Sequence, residues 1–180
     1  PDEAFGHDLK WEDAVPMFDN LRALAAERGV TFGLKLSNTL EVENWRTRIP
    51  DDPTMYLSGR PLHAVTTNLA LKISEQYDGG LLLSFAGGAD CFNVADLLRS
   101  GLTTVNVCTD LLKSGVYLRM LQYFDELTTA MEEAGAADLP AYTVATCVAG
   151  EADPAAAGLA NLREYAARVR QERRLHKMSF

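Results

Sequence analysis

The chain has 180 residues, and its 17 lysines and arginines against 25 aspartates and glutamates give a formal net charge of −8 at pH 7. Apolar residues make up 47% of the sequence and charged residues 23%, a composition typical of globular proteins. No apolar run approaches the ~20 residues of a membrane-spanning helix, so we expect no membrane span. The acidic balance argues against nucleic acid as a partner, because phosphate backbones bind basic surfaces.

The cysteines bear on redox compartment and metal binding. Cys91, Cys108 and Cys147 form no C-x-x-C pair, so we expect neither a disulfide framework nor a zinc or iron–sulfur site within the chain. Such a pattern fits the reducing cytosol, and we expect a cytoplasmic protein. The sequence begins at Pro1 with no charged-then-apolar pattern, so we expect no signal peptide here, and we expect the chain to be a piece of a longer protein.

Apolar periodicity predicts helices that alternate with short strands. In chain order the predicted elements are a helix at 13–28, a strand at 30–36, a loop at 37–53, a strand at 54–57, a helix at 61–77, a strand at 81–85, a helix at 93–99, a strand at 103–107, a mostly helical stretch at 111–133 interrupted at 114–115, and a last helix that begins after an Asp153 cap and Pro154. The histidines at positions 7, 63 and 176 lack the spacing of metal ligands, and we expect ordinary surface or helix residues there.

The order of strand, loop and helix recurs four times, which predicts an α/β chain of four parallel βα units with a C-terminal helix. The units fit either an open doubly wound sheet or part of a barrel, because a complete eightfold barrel needs ~250 residues. We divide the chain into residues 1–150, the βα units, and a helical extension at 151–180.

In both architectures ligands bind at the carboxyl ends of the strands, so the residues that follow each strand are the candidates. Gly87 and Gly88 follow a strand that is apolar enough to be buried, and they would let the backbone approach a phosphate group. The alternative for this pair is a tight turn with no ligand. Lys35 lies inside an apolar strand, which favours a functional lysine or, as the alternative, a charge that protects an edge strand.

If the strands at 81–85 and 103–107 are adjacent and parallel, the turns after them lie side by side. Backbone N–H groups of Gly88 and Ala89 and the Thr109 hydroxyl would then converge on one anion. Asp110 would repel that anion unless a cation such as Lys113 offsets it. We expect a side chain at Gly88 to fill the space of the anion, and a positive φ there to require glycine.

Four motifs carry a resemblance to a known family. In order they are Gly33-Leu34-Lys35-Leu36-Ser37-Asn38-Thr39, Leu57-Ser58-Gly59-Arg60-Pro61-Leu62, Phe85-Ala86-Gly87-Gly88 and Val105-Asn106-Val107-Cys108-Thr109. The series resembles the C-terminal half of the FMN barrel of dihydroorotate and dihydropyrimidine dehydrogenases. It is most similar to large bacterial iron–sulfur flavoproteins named as selenate reductase subunits, over roughly residues 12 to 175.

The resemblance implies the second half of a TIM barrel and a role for each matching residue. Lys35 would contact the FMN ring, and Ser58 and Gly59 would line the ribityl chain. The FMN phosphate would lie among the remaining matching residues, which are Gly87, Gly88, Cys108 and Thr109. The stretch from Glu41 to Pro53 departs from the family pattern.

The resemblance therefore implies one module of a multidomain flavin-dependent oxidoreductase. The family's catalytic loop belongs to the absent first half of the barrel, so we expect no catalytic residue here and no activity of the chain alone. Iron–sulfur clusters and a nicotinamide cofactor would belong to the remaining domains of the parent protein. Open strand edges around Leu34 and Val105 would favour a homo-oligomer. The alternatives are a flavin-free scaffold between redox domains and a small open-sheet protein that binds another phosphate compound.

Overall fold

A computed structural model gives the fold and describes residues 5–37, 39–44, 52–172 and 175. The strands are β1 Gly33–Leu36, β2 Leu40–Glu43, β3 Thr54–Leu57, β4 Leu82–Phe85 and β5 Thr104–Val105. The helices are α1 Trp11–Glu27, α2 His63–Gln76, α3 Val94–Arg99, α4 Arg119–Glu133, α5 Leu139–Ala145 and α6 Pro154–Gln171. Short 3-10 turns lie at Arg60–Leu62, Thr109–Leu112 and Val116–Leu118.

A parallel sheet of three strands in the order β1–β4–β5 forms the centre of the molecule. Lys35 of β1 lies opposite Ser84 of β4, and Phe85 of β4 lies opposite Val105 of β5. The prediction of an α/β chain with parallel strands is confirmed. The expected adjacency of the strands that carry Gly87 and Thr109 is also confirmed, so the turns after them lie at the same edge of the sheet.

The region between β1 and α2 corrects two predictions. The expected strand at Thr54–Leu57 forms, but it pairs antiparallel with β2 and does not enter the parallel sheet. The predicted loop at 37–53 contains β2, in which Leu40 and Val42 alternate with glutamates, a pattern typical of a half-exposed strand. Among the described residues, three of the four predicted strands are therefore parallel, and the β2–β3 hairpin is an insertion between β1 and α2.

The core lies between the sheet and the helices α2, α3 and α6. Phe85 of β4, Leu97 of α3 and Leu162 of α6 are fully buried in one apolar cluster. Helix α6 begins as predicted, since the Asp153 carboxylate accepts a hydrogen bond from the Ala156 N–H at 2.9 Å. The C-terminal helix is thus packed against the sheet units, while the domain boundary near residue 150 stays a prediction.

Helix α5 is an element that the sequence prediction missed. Asp138 caps it by accepting from the Ala141 N–H at 2.8 Å, and Pro140 lies in its first turn. An aspartate cap followed by a proline in the first turn also marks the start of α6. At α5 this pattern lies within a stretch rich in alanine and glycine, and the sequence prediction overlooked it. In the described parts of the chain no helix is both long enough and apolar enough to cross a lipid bilayer.

Candidate functional site

A cleft of about 590 Å³ opens at the carboxyl ends of the three parallel strands. Its size lies within the range of small-molecule sites, roughly 300–1,000 Å³. The structure brings all the sequence-predicted site residues into its lining: Lys35, Ser58, Gly59, Gly87, Gly88, Cys108 and Thr109. Their grouping is a finding, and what they bind stays a prediction.

The turn after β4 lines this cleft and carries two backbone donors. The carbonyl of Gly87 accepts from His63 Nδ1 at 2.9 Å, and the carbonyl of Gly88 accepts from Asn93 Nδ2 at 3.1 Å. A trans peptide directs its N–H away from its carbonyl, so the N–H groups of Gly88 and Ala89 point away from these partners. Within the described residues neither N–H donates to a protein acceptor, and both are free for a ligand.

The conformation of Gly88 confirms one expectation and corrects another. Its φ is +72°, the left-handed region that favours glycine. A Cβ at this position would not enter the anion space, because it would lie 2.6 Å from the backbone nitrogen of Arg60 and 2.6 Å from the carbonyl carbon of Gly59. A side chain at Gly88 would therefore push the neighbouring turn away, and Gly88→Val tests packing more than ligand binding.

The carboxylate of Asp110 is neutralised by its surroundings. Asp110 is only 5% exposed and accepts from Lys113 Nζ at 2.8 Å, Arg119 Nε at 3.0 Å and the Tyr123 hydroxyl at 2.8 Å. Burial would raise the pKa of Asp110, but the hydrogen bonds from Arg119, Lys113 and Tyr123 outweigh it and hold that pKa below its usual value. Lys113 thus offsets the carboxylate as the sequence suggested, and Arg119 is a partner that the sequence prediction missed.

A second ion pair joins the loop after β3 to the loop after β4. Arg60, which follows β3, pairs with the buried carboxylate of Asp90 and lies 5.9 Å from the centre of the Phe92 ring. Tyr123 likewise joins the loops after β4 and β5, since its hydroxyl lies 3.2 Å from the Ala89 carbonyl. The loops around the cleft are therefore fixed to one another by charged and hydrogen-bonded side chains.

The cleft is positively charged on an acidic protein. Four cationic side chains line it against two carboxylates, a net charge of +2 on a chain of −8, and they are Lys35, Arg60, Lys113 and Arg119 against Asp90 and Asp110. Such a local field attracts anions into the cleft. Both carboxylates are paired with cations, so neither faces a ligand as a free charge.

Lys35 lies on β1, where its exposed side chain lines the cleft together with Asn106, and its register partner on β4 is Ser84. The Asn106 amide donates to the Ser84 hydroxyl at 2.7 Å. Because β1 is also an outer strand of the sheet formed by the described residues, the edge-protecting interpretation of Lys35 remains compatible with the fold.

The cysteines differ in their access to the cleft. Cys108 is exposed and lines it, whereas Cys91 and Cys147 are buried. Burial and the nearby Asp110 carboxylate raise the pKa of Cys91, so its thiol stays protonated and acts as a packing residue. In the described part of the chain, no group of three or more histidine, cysteine, aspartate or glutamate side chains is arranged to hold a metal.

His63 is a helix histidine, one of the two expected alternatives, but it does not lie at the surface. It lies at the start of α2 and is completely buried, with Nε2 2.6 Å from the Tyr165 hydroxyl of α6. The periodicity of the helix gave no sign of this contact, because the partner lies 102 residues away in the chain.

Comparisons with known proteins relate this fold to others. Two YgfK proteins, from Escherichia coli strain K12 and from Escherichia coli O157:H7, are each 40% identical to the chain over 126 residues. The matched segment is 70% of this chain and 12% of each relative, so the chain spans a small part of their length.

Two crystal structures of DHODH from Eimeria tenella, one of a ligand-free type and one in complex with ferulenol, share the fold. Each superposes with a TM-score of 0.52 at 24% identity over 73% of this chain, and the match covers 35% and 34% of the DHODH chains. The likeness shows a shared fold over that part of the DHODH chains. The family model described as "Oxidoreductase YgfK, N-terminal TIM-barrel domain" matches residues 1–173. The chain therefore belongs to the family of YgfK-type oxidoreductase N-terminal TIM-barrel domains.

Proposed function

We propose that the chain forms the flavin-binding half-barrel of a multidomain iron–sulfur flavoprotein and holds the phosphate of FMN at the turn after β4. The observation that carries this proposal is the pair of N–H groups at Gly88 and Ala89, which have no acceptor among the described residues and belong to residues that line a cleft of net charge +2. A phosphate dianion needs several such donors, and fixed backbone N–H groups supply them without reorganisation.

The residues present fit a phosphate group. Thr109 adds a hydroxyl to the lining, and its side chain packs near Gly59, where a Cβ would lie 3.0 Å from Thr109 Cγ2. Lys113 and Arg119 add positive charge, and their shared partner Asp110 is already saturated with donors. The anion would meet donors and cations in this corner without an opposing free carboxylate.

Lys35 lies in the same cleft and would meet the ring system of the flavin. Its ammonium group would favour negative charge on a bound group, and the Asn106 amide, which also lines the cleft, offers hydrogen-bonding atoms. FMN, when bound, supplies hydride and electron transfer, while the residues of this chain bind and orient it.

The rest of the proposed machinery lies outside the chain. We assign the catalytic loop, the iron–sulfur clusters and the nicotinamide cofactor to other parts of the parent protein, which fits relatives of which the chain matches only 12%. Half of a barrel leaves one side of a bound flavin open to water, so the chain alone is not a catalyst in this proposal.

A flavin titration tests the proposal. The chain is titrated with FMN and with riboflavin, which lacks the phosphate, and binding is followed by quenching of flavin fluorescence. We expect FMN to bind about tenfold or more tightly than riboflavin, because charge-assisted hydrogen bonds to the phosphate contribute only to FMN.

Two variants that each remove one positive charge test whether the preference for FMN depends on a cation in the cleft. Lys113→Met removes a cation that lines the cleft and should weaken FMN binding severalfold while leaving riboflavin unchanged. Lys72→Met removes an equal charge from an exposed position on α2 outside the cleft and should change neither affinity. Equal affinity for the two flavins would refute the phosphate assignment, and binding of neither would favour the flavin-free scaffold.

A further inference from the structure

A buried chain of hydrogen bonds joins the C-terminal helix α6 to the turn after β4. The Tyr165 hydroxyl lies 2.6 Å from His63 Nε2, and His63 Nδ1 lies 2.9 Å from the Gly87 carbonyl oxygen. Both side chains are completely buried. These two hydrogen bonds therefore link α6 to the turn that carries the Gly88 and Ala89 N–H groups. Helix α6 itself carries none of the residues that line the cleft.

The Gly87 carbonyl fixes the direction of its hydrogen bond with His63. A carbonyl oxygen can only accept, so Nδ1 carries the proton and donates to Gly87. Nε2 lies within hydrogen-bonding distance of the Tyr165 hydroxyl, whose pKa is raised by burial so that it keeps its proton. The imidazole is also held edge-on against the Phe85 ring at a centroid distance of 5.3 Å.

The Gly87 carbonyl belongs to the same peptide as the Gly88 N–H. Because that peptide is planar and trans, holding the carbonyl toward His63 directs the N–H the opposite way. Two glycines in succession leave this peptide few steric restraints of its own. Rotated by half a turn, the peptide would present a carbonyl oxygen to an anion in place of a donor.

We infer that Tyr165, acting through His63, is a positioning residue that keeps the Gly88 N–H directed at the cleft and so sets the preference for a phosphorylated flavin. This inference rests on the proposed function for its ligand. A purely structural role for Tyr165 would lower stability and weaken both flavins alike, whereas a positioning role changes the ratio of their affinities.

The test compares FMN with riboflavin on variants of the full chain. Tyr165→Phe keeps the ring and removes the hydroxyl, and we expect FMN affinity to fall about tenfold with riboflavin within about twofold of the parent. The matched control is Tyr142→Phe, which removes the hydroxyl of a buried tyrosine on α5 that does not line the cleft. This control should keep the parent's ratio of affinities.

Two substitutions at His63 remove or partly replace the hydrogen bond to the Gly87 carbonyl. His63→Leu removes the donor to Gly87 and should cost FMN at least as much affinity as Tyr165→Phe. His63→Asn places an amide N–H close to the position of Nδ1 and should restore part of the preference for FMN. If Tyr165→Phe does not unfold cooperatively on heating, His63→Asn and His63→Leu carry the comparison.

The outcomes separate this inference from the proposed function. If the parent prefers FMN and both Tyr165→Phe and His63→Leu keep that preference, the inference is wrong and the proposed function stands. If the parent shows no preference for FMN, the proposed function fails and the claimed preference fails with it. The orientation of the Gly87–Gly88 peptide can also be followed without ligand in a ¹⁵N–¹H spectrum. The Gly88 amide resonance should move in Tyr165→Phe and His63→Leu but not in Tyr142→Phe. An unmoved resonance in the first two variants would overturn the positioning role of Tyr165.

Discussion

Replacing Asp110 with asparagine should destabilise the chain, because this nearly buried carboxylate holds Lys113, Arg119 and Tyr123 together. Each hydrogen bond to a charged group contributes about 1.5–3 kcal/mol in a buried setting. Lys113 is 53% exposed and Arg119 21% exposed, so water screens part of these interactions. We expect the free energy of unfolding at pH 7 to fall by about 2–3 kcal/mol, or roughly 4–12 °C in Tm for a chain of this length.

The effect should depend on pH in a defined direction. The folded pKa of Asp110 lies below its ordinary value of 3.8, since the hydrogen bonds from its partners outweigh burial. The unfolded chain therefore takes up the proton first as the pH falls, and the stabilisation by the carboxylate is complete above the ordinary pKa and lost below it. The difference between the parent and Asp110→Asn should shrink below about pH 4.

Urea unfolding followed by circular dichroism at pH 7 and in steps below pH 4 measures both quantities. Asp125→Asn, at an exposed position of α4, is the control and should change stability by less than about 0.5 kcal/mol. An Asp110→Asn variant as stable as the parent at pH 7 would refute the argument. So would a loss of stability that stays constant as the pH falls.

Three further predictions concern the chain as isolated. With added FMN it should oxidise neither dihydroorotate nor a dihydropyrimidine, and turnover above buffer in an absorbance assay would contradict this. The outer strands β1 and β5 should drive formation of a dimer or larger species in sedimentation velocity unless other parts of the chain cover them, so a monomer with both edges bare would count against the edge argument. N-ethylmaleimide should label Cys108 in the folded chain before Cys91 and Cys147, and FMN should slow that labelling, as peptide mass spectrometry would show.

The alternation of strands and helices predicted most of the parallel sheet because each βα unit carries its own local signals. Gly29 and Gly79 follow the helices before β1 and β4 with positive φ, a conformation that glycine favours at the end of a helix. The partner of the strand at Thr54–Leu57 was not predictable in the same way, because strand pairing is a non-local contact. The alternation at Leu40–Glu43 was the available clue to the hairpin.

Some site residues could likewise be predicted from local sequence, whereas others depend on contacts between distant parts of the chain. The turn glycines and Thr109 follow strands directly, so their positions at the cleft could be predicted from strand ends alone. The pairing of Lys113 with Asp110 spans three residues and was within reach of the sequence. Arg119 and His63 act through contacts that exist only after the chain folds, and no spacing of theirs indicated a role.

A crystal structure of the chain grown with FMN would show where the flavin phosphate binds. We expect the phosphate within hydrogen-bonding distance of the Gly88 and Ala89 N–H groups and the Thr109 hydroxyl, with the ring system toward Lys35. A phosphate bound elsewhere while this corner stays empty would contradict it.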